Sequence, residues 1–257
     1  MEYPSLAVIT PAYNGSKFLD AVVENVASQG YPRLEHFIVD DGSTDGLEEK
    51  VKAYAGRVRY LRQENRGPSA ARNLGIAGSS SDIIAFLDID DLWAPGHLRR
   101  MVDLLLANPD AGIAQAFIRS FFTAEDGRQY ICSGQFRFPL VGSSIFRREA
   151  IERCGPFDES LRYAEDMDFA LRCWECDILK IMVDADGLYY RRHDASMTAA
   201  KLSVVELGLL KVYKRRADRV RNGRVDPRRQ VRMDVSSYFG RAPEKWDEGL
   251  RVLIPSD

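Results

Sequence analysis

Short apolar runs alternate with amphipathic stretches through the first 107 residues. Runs of β-branched and other apolar residues predict four strands, over residues 6–10, 36–39, 58–61 and 83–87. Apolar positions that recur at helical spacing predict helices over residues 18–26, 47–54, 69–77 and 95–107. Strands that alternate with helices in this way predict parallel β-α-β units, and therefore an α/β fold.

The pattern is less regular after residue 107. We predict strands over residues 111–122, 129–133, 140–146, 178–183 and 187–192, and helices over 149–153 and 165–174. A further amphipathic helix is predicted from its apolar positions, which are Leu202, Val205, Leu209, Val212 and Tyr213. We therefore expect one domain over residues 1–200, with halves 1–107 and 108–200, and a helical, basic C-terminal extension over 201–257.

The composition is that of a globular protein, with 257 residues, 45% apolar and 29% charged. The net charge of −2 predicts no general attraction to nucleic acid. No apolar run approaches the roughly 20 residues that span a bilayer. The first residues also lack a basic stretch followed by an apolar one, so we expect a cytoplasmic location.

Basic residues are concentrated in the predicted extension. They are Lys211, Lys214, Arg215, Arg216, Arg219, Arg221, Arg224, Arg228, Arg229 and Arg232. They form either a solvated face that packs back on the domain, or a patch for an anionic acceptor or an anionic membrane. The second interpretation would place the chain peripherally at the inner face of a membrane. Few aromatic residues lie among these arginines, which argues against nucleic acid as a partner.

Four cysteines are too few for a disulfide framework in a chain of this length. Cys173 and Cys176 form a C-x-x-C pair near the end of a predicted helix, whereas a redox pair is expected at a helix N-terminus. A zinc site needs two more ligands, and Cys132 and Cys154 have no matching pair spacing. We therefore expect structural thiols.

Polar side chains follow three of the predicted parallel strands. Tyr13 and Asn14 follow the first strand and Asp41 the second. The fourth strand is followed by three carboxylates within four residues, Asp88, Asp90 and Asp91. Ligands of parallel sheets bind at the carboxyl ends of the strands, and a buried strand seldom ends in three acids without a cation nearby. We expect a divalent metal that carries a phosphorylated ligand.

Five segments together resemble the family-2 glycosyltransferases, which have the GT-A fold. They are VITPAYN (8–14), VDDGSTD (39–45), NRGPSAARN (65–73), FLDIDD (86–91) and EDMD (165–168). Each motif alone is weak, but five in the order of the family are specific. The resemblance implies a Rossmann-like, mostly parallel sheet flanked by helices. It also implies an inverting transferase that takes a sugar from a nucleoside diphosphate, with a nucleotide-binding half over 1–107 and an acceptor-binding half over 108–200.

The resemblance implies which residues hold the donor. They are Pro11, Tyr13, Asn14, Asp41, Arg72 and Asp88, with Asp88 facing the ribose. An aromatic Tyr13 can stack on a base, and a carboxylate at Asp41 can accept from a base N–H. Two alternatives stay open, because residues 40–43 also suit a plain turn and Arg72 could simply pair with an acid.

The resemblance also implies a metal, Mn²⁺ or Mg²⁺, whose Lewis acidity stabilises the departing diphosphate. Asp90 and Asp91 are the predicted ligands, and which of them binds directly is open. His193 is a third predicted ligand because Arg191-Arg192-His193 and Ser196-Met197 match a pattern of the family. Its alternatives are a phosphate contact or an ordinary loop histidine. His36 and His97 are expected to be structural.

Asp166 matches the position of the family's general base. Inversion in one displacement needs a carboxylate within hydrogen-bonding reach of the acceptor hydroxyl. The alternative is that Glu165 and Asp166 only offset a helix dipole. Glu165 and Asn73 are predicted to contact substrate, and residues 138–144 to cover the site.

The expected partners are a nucleoside-diphosphate sugar, most often UDP-linked in such enzymes, and a sugar, lipid-linked or other hydroxyl acceptor of polysaccharide or glycoconjugate synthesis. A nucleotidyltransferase would carry a Gly-rich basic loop after the first strand, where Thr10-Pro11-Ala12 stands. Neither G-x-G-x-x-G nor a P-loop is present. A non-catalytic nucleotide-sugar-binding protein on the same fold is the other alternative.

Overall fold

The structure is a computed structural model. It describes residues 2–193, 208–226, 233–234, 238–240 and 252–253. Of the sequence predictions, those on Ser196, Met197, Leu202, Val205, Arg228, Arg229 and Arg232 lie outside these residues.

Strands and helices alternate in the first half, as the sequence predicts. The elements there are β1 (Leu6–Ala12), α1 (Leu19–Ser28), β2 (Leu34–Asp40), α2 (Leu47–Val51), β3 (Arg59–Arg62), α3 (Pro68–Gly78), β4 (Ile83–Phe86), β5 (Leu92–Trp93) and α4 (His97–Ala107). The rest of the described chain forms β6 (Ala111–Thr123), β7 (Gln129–Ile131), β8 (Ser144–Arg147), α5 (Arg148–Cys154), α6 (Glu165–Glu175), β9 (Leu179–Arg191), α7 (Leu209–Arg221) and β10 (Val252–Leu253).

One sheet runs through both halves in the order β10-β7-β6-β8-β4-β1-β2-β3. The pairings β1–β2, β1–β4 and β2–β3 are parallel, so these strands end at the same edge. Antiparallel β8 joins β4 to β6 across the boundary between the halves. β9 pairs with β6 in parallel and with the short β5 in antiparallel, on a branch from the main order.

Helices cover both faces of the sheet because successive side chains of a strand point to opposite faces. Leu6 and Val8 of β1 pack with α1 and α4, whereas Ala7 and Ile9 pack with α3, α5 and α6. Helix α3 lies very close to β1. A Cβ atom at Gly75 would come within 2.4 Å of Ile9, so only glycine allows this approach.

Three predicted strands are wrong in their bounds. Residues 178–183 and 187–192 are one strand, β9, because register shifts against β6 absorb the polar stretch around Asp186 instead of ending the strand. The predicted strand over 140–146 begins as a 3-10 turn, Val141–Ser143, and is extended only from Ser144. This turn carries the backbone into the site described below.

Helix α7 packs on the domain through Val212, which contacts Leu161 and Leu171. Its arginines pair with acids of the domain: Arg215 with Asp158, and both Arg216 and Arg219 with Glu175. These three arginines therefore follow the first interpretation, a face that packs back on the domain. None of the described helices combines the length and the apolar character that crossing a membrane requires.

Candidate active site

The polar residues predicted at the strand ends lie at one edge of the sheet. Tyr13 follows β1, Asp41 follows β2 and Asp88 lies two residues past β4, and these three strands are parallel neighbours. Tyr13 is 54% exposed, which is unusual for a large aromatic side chain and leaves its ring open to a flat ligand. Pro11 is a buried residue of β1, so the strand continues two residues past the predicted bounds of 6–10.

Asn14 ties the end of β1 to the loop after β2. It adopts a positive φ of 50°, and its side-chain Oδ1 accepts a hydrogen bond from Thr44 N at 2.8 Å. Its own N–H donates to Ser43 Oγ at 2.9 Å. The described contacts of Asn14 therefore shape the loop, and its contact with a nucleotide stays a prediction.

The adjacent acids after β2 have different roles. Asp40 is fully buried and accepts from Ser43 N (2.7 Å) and from Tyr60 Oη (2.6 Å), as the turn interpretation requires. Asp41 accepts from the backbone N–H groups of Arg66 (2.9 Å) and Gly67 (2.8 Å), which lead into α3. These bonds of Asp41 hold the loop before α3, and its predicted contact with a base stays a prediction.

A single buried guanidinium, that of Arg72, connects the two halves of the site. Its Nη2 donates to Asp88 Oδ1 at 2.9 Å, and its Nη1 donates to Glu165 Oε1 at 3.0 Å and to Asp166 Oδ1 at 3.2 Å. Burial lowers the pKa of Arg72, but the three carboxylates raise it by more, so the net shift is upward. Arg72 is therefore a permanent cation that holds three acids from two segments together.

Asp166 is the carboxylate of this group with the most perturbed acidity. It lies in the first turn of α6, where Oδ2 accepts from Val141 N at 3.0 Å. Burial raises the pKa of Asp166 to about 7; Arg72 lowers it, and the nearby charges of Glu165 and Asp88 raise it. A carboxylate with this pKa can both take and hold a proton near neutral pH.

Asp90 and Asp91 lie beside each other but face different partners. Asp90 Oδ2 is 2.9 Å from His193 Nε2, and about a quarter of the Asp90 side chain is exposed. Asp91 is 4% exposed, and its Oδ1 accepts from Arg191 N at 2.8 Å. Burial, reinforced by the neighbouring aspartates, raises the pKa of both carboxyl groups. Among the described residues, no group of three His, Cys, Asp or Glu is arranged to hold a metal by itself.

Arg191 is a site residue that the sequence analysis used only as part of a motif. Besides its N–H bond to Asp91, its Nε donates to the backbone oxygen of Asp90 at 2.6 Å. Its guanidinium lies 5.1 Å from the ring of Phe18 and 4.3 Å from that of Phe121. Pairing of β9 with β6 brings Arg191 here, and no local pattern reveals that placement.

Asn73 does not show the expected substrate-facing geometry. Its Nδ2 donates to Phe157 O (2.9 Å) and Glu159 Oε1 (3.0 Å), while its Oδ1 accepts from Phe157 N (2.9 Å). These bonds hold the loop before α6, so the observed role is structural and the substrate contact stays a prediction.

The remaining histidines and the cysteines are structural, as expected. His36 and His97 are buried, and burial lowers the pKa of each to about 3. All four cysteines are free. Hydrogen bonding to Cys173 raises the pKa of Cys154, hydrogen bonding to Cys154 raises that of Cys176, and burial raises that of Cys132, which opposes thiolate chemistry.

Comparison with known proteins shows the family of this chain. Residues 7–155, more than half of the chain, match the family described as Glycosyl transferase family 2. This chain belongs to that family. The match covers Asp41, Arg72 and the acids at 88–91, and it ends before Asp166.

Curated relatives of this family 2 glycosyltransferase include an uncharacterized glycosyltransferase of Rickettsia typhi. It is 28% identical over 220 residues, which are 79% of this chain and 69% of that protein. The putative teichuronic acid biosynthesis glycosyltransferase TuaG of Bacillus subtilis is 33% identical over 129 residues, or 48% of this chain and 50% of TuaG.

Solved structures share the fold of this family 2 glycosyltransferase. S. aureus TarS 1-349 in complex with UDP-GlcNAc superposes with a TM-score of 0.68 at 19% identity, covering 91% of this chain and 69% of that one. Mannosyltransferase PcManGT from Pyrobaculum calidifontis, in complex with GDP-Man and Mn²⁺, gives a TM-score of 0.58 at 24% identity, covering 72% and 56%. The predicted GT-A fold, a helix-flanked and mostly parallel sheet, is confirmed.

Proposed function

We propose that this chain is an inverting, metal-dependent glycosyltransferase that moves a sugar from a nucleoside-diphosphate sugar to a hydroxyl acceptor. The observation that carries the proposal is the hydrogen bonding of the Arg72 guanidinium. This one group binds both Asp88, the acid expected beside the donor ribose, and Asp166, the acid expected to be the base. The donor sugar and the acceptor hydroxyl would then lie close together on either side of Arg72, as a single displacement requires.

Asp166 is the general base of the proposed reaction. In its ionised form it takes the proton of the acceptor hydroxyl while that oxygen forms its bond to the anomeric carbon. The bond from that carbon to the diphosphate breaks on the opposite face, so the configuration inverts. Burial raises the pKa of Asp166 to about 7, which makes it a stronger base than an ordinary aspartate.

Asp90 and His193 are the residues that fit a divalent ion. Their Oδ2 and Nε2 atoms lie 2.9 Å apart, close to the ~3 Å between adjacent ligand atoms when octahedral bonds are about 2.1 Å. Asp91 is committed to Arg191 N, so we assign Asp90 as the direct ligand and Asp91 to positioning β9. Bound Mn²⁺ or Mg²⁺ would stabilise the negative charge of the departing diphosphate as a Lewis acid. The Mn²⁺ in the PcManGT complex supports this assignment.

Replacement of Asp90 by alanine is expected to weaken Mn²⁺ binding in the presence of UDP by roughly 100-fold, because one of two protein ligands is lost. Isothermal titration calorimetry of Mn²⁺ into the protein with UDP measures this change. Asp126→Ala removes an exposed carboxylate in the turn between β6 and β7 and is the matched control. Equal Mn²⁺ affinity in Asp90→Ala and wild type would contradict the ligand assignment.

A UDP-sugar is the proposed donor. TarS was solved with UDP-GlcNAc and with UDP, and the exposed ring of Tyr13 can stack on a base of this size. A hydrolysis and transfer screen over UDP-, GDP- and dTDP-sugars, with Mn²⁺ and Mg²⁺ added separately, tests the proposal. Release of UDP from a UDP-sugar supports the proposal. Release of GDP alone would show instead that the donor is a GDP-sugar, the class bound in the PcManGT complex.

The same screen separates the alternatives. A non-catalytic binding protein would bind a nucleotide sugar without releasing the nucleoside diphosphate. A nucleotidyltransferase would bind a nucleoside triphosphate tightly and a nucleoside diphosphate not at all. The pairing of the predicted base with the donor-side acid through Arg72 favours the transferase over both.

The acceptor is proposed to be a growing polysaccharide or a lipid-linked sugar at a membrane surface. The relative TuaG is described as acting in teichuronic acid biosynthesis, which supports the first part. The outer face of α7 supports the second, because Leu210 is 55% and Tyr213 68% exposed and exposed lysines, Lys211 and Lys214, stand next to them. Apolar side chains among basic ones suit an anionic bilayer surface.

The double variant Lys211→Glu/Lys214→Glu is expected to bind vesicles of mixed phosphatidylglycerol and phosphatidylcholine at least roughly 30-fold more weakly, since each of the two basic residues near such a surface contributes about 1 kcal/mol. Vesicle co-sedimentation measures the affinity. Lys52→Glu, an exposed lysine outside α7, is the control. Unchanged vesicle binding by the double variant would show that these lysines of α7 do not contact the membrane.

A further inference from the structure

A buried lysine lies beneath the predicted base. Lys180 of β9 is 6% exposed, and its Nζ donates to Gln115 Oε1 at 2.9 Å and to the backbone oxygen of Tyr238. The Lys180 ammonium also lies 4.3 Å from the centre of the Tyr238 ring. Burial lowers the pKa of Lys180 to about 8. A buried ammonium is costly to keep, and the proposed mechanism does not use it directly.

Among the described residues, the space between this lysine and the base is too small for a sugar. A cavity of about 20 Å³ separates them, lined among others by Val141, Asp166, Lys180 and Tyr238. Such a volume holds roughly one water molecule and no sugar. Any influence of Lys180 on the reaction must therefore pass through the groups that it binds.

Those groups form a continuous chain of hydrogen bonds. An ammonium can only donate hydrogen bonds. The Gln115 side chain must therefore turn its amide oxygen towards Lys180 and its NH₂ group away from Lys180. Gln115 Nε2 then donates to Ser143 Oγ at 3.0 Å and to Phe138 O at 2.8 Å. Ser143 Oγ in turn donates to Leu140 O at 2.7 Å.

The chain ends on the peptide group between Leu140 and Val141. Its C=O accepts from Ser143 Oγ at 2.7 Å and from Ser143 N at 3.0 Å, and its N–H donates to Asp166 Oδ2 at 3.0 Å. The peptide unit is planar, so fixing the carbonyl also fixes the direction of the N–H. A carbonyl that accepts a hydrogen bond also polarises the amide and strengthens the bond that its N–H makes.

We propose that Lys180, Gln115 and Ser143 are positioning residues that orient the Leu140–Val141 peptide and through it the carboxylate of Asp166. This inference rests on the proposed function for its catalytic consequence. The charged groups that face Asp166 are Arg72 from α3, Asp88 after β4 and Glu165 from its own helix. All three remain in Ser143→Ala, which adds no charge, so a change in the Asp166 pKa of that variant would come from the hydrogen-bond chain.

Two variants interrupt the chain at different points. Ser143→Ala removes the hydroxyl between Gln115 and Leu140 O. Gln115→Glu keeps an acceptor for Lys180 but removes the NH₂ that donates to Ser143 and Phe138. Ser120→Ala is the matched control, because Ser120 is a fully buried serine whose Oγ has no hydrogen-bond partner among the described residues.

The test combines carboxyl NMR with kinetics. The Asp166 signal is identified by its absence from ¹³C-aspartate-labelled Asp166→Asn. Titration should give a higher Asp166 pKa in Ser143→Ala and Gln115→Glu than in wild type. Both variants weaken the hydrogen bond from Val141 N–H to Asp166, and that bond favours the ionised carboxylate. The kcat for transfer should fall about tenfold with an unchanged KM for donor. Ser120→Ala should leave both quantities unchanged.

An Asp166 pKa and a kcat equal to wild type in both variants would overturn the positioning role. A rise of the Asp166 pKa in Ser120→Ala as large as that in the test variants would equally overturn it, because it would point to general loosening of the fold. If the wild-type protein transfers no sugar and the Asp166 pKa is still shifted in both variants, the proposed function is refuted and the positioning role is supported.

Discussion

Replacement of Asp166 by asparagine is expected to lower kcat for sugar transfer about 1,000-fold, while the affinity for the donor nucleotide sugar is unchanged. Asparagine keeps the size of the side chain and can still accept from Val141 N, but it cannot take the acceptor proton. Single-turnover transfer assays and calorimetric donor titration measure the two quantities. Asp103→Asn, which changes a carboxylate of α4 that binds Tyr3, is the control.

The pH dependence of the wild-type enzyme checks the same assignment. The base acts when ionised, and the pKa of Asp166 is raised to about 7. We therefore expect kcat/KM to rise with pH through about 7 and then to level off, and this rise to be absent from the residual activity of Asp166→Asn. Transfer by Asp166→Asn at the wild-type rate would show that another group is the base.

Replacement of Arg72 by methionine is expected to lower the free energy of unfolding by about 3–5 kcal/mol at pH 8. Methionine fills much of the same volume, but it leaves Asp88, Glu165 and Asp166 without their common cation. Urea denaturation measures the loss. Arg57→Met, which breaks an exposed pair with Glu24, is the control and should change stability by less than about 1 kcal/mol.

The deficit of Arg72→Met should shrink as the pH falls from 8 towards 5. Without the guanidinium, the folded-state pKa of Asp166 rises further above its unfolded value. Groups with raised pKa values destabilise the fold when ionised, and protonation at lower pH removes that penalty. A deficit that is constant over this range would show that lost packing, and not the unbalanced charge, causes it.

Much of the fold was predictable because its signals are local. Apolar runs and helical periodicity predict β1 to β4 and the helices between them to within a few residues. The errors lie where tertiary pairing overrides local preference. β9 continues through Asp186 because Arg119 of β6 pairs with that carboxylate and the register shifts accommodate the irregularity.

The residues of the candidate site were predictable from the sequence, but only some of the contacts between them were. Strand-end acids are visible because each follows a buried apolar run. Their partners are not, since Asp88 and Asp166 are far apart in sequence and meet only on Arg72. The roles of Gln115, Ser143 and Lys180 were missed entirely. Single polar residues inside apolar strands carry no local signal of the network that they join.

The sequence by itself determined the α/β class, the resemblance to family 2 and the edge of the sheet at which Asp88, Asp90 and Asp91 gather. These features follow from periodicity and from residue types at fixed spacing. Only the tertiary structure decided which acid meets which cation. It pairs Asp90 with His193 and Asp91 with Arg191, and it buries Arg72 among three carboxylates. The physical reason is that burial and distance set the strength of a charge interaction, and both depend on how segments distant in sequence pack together.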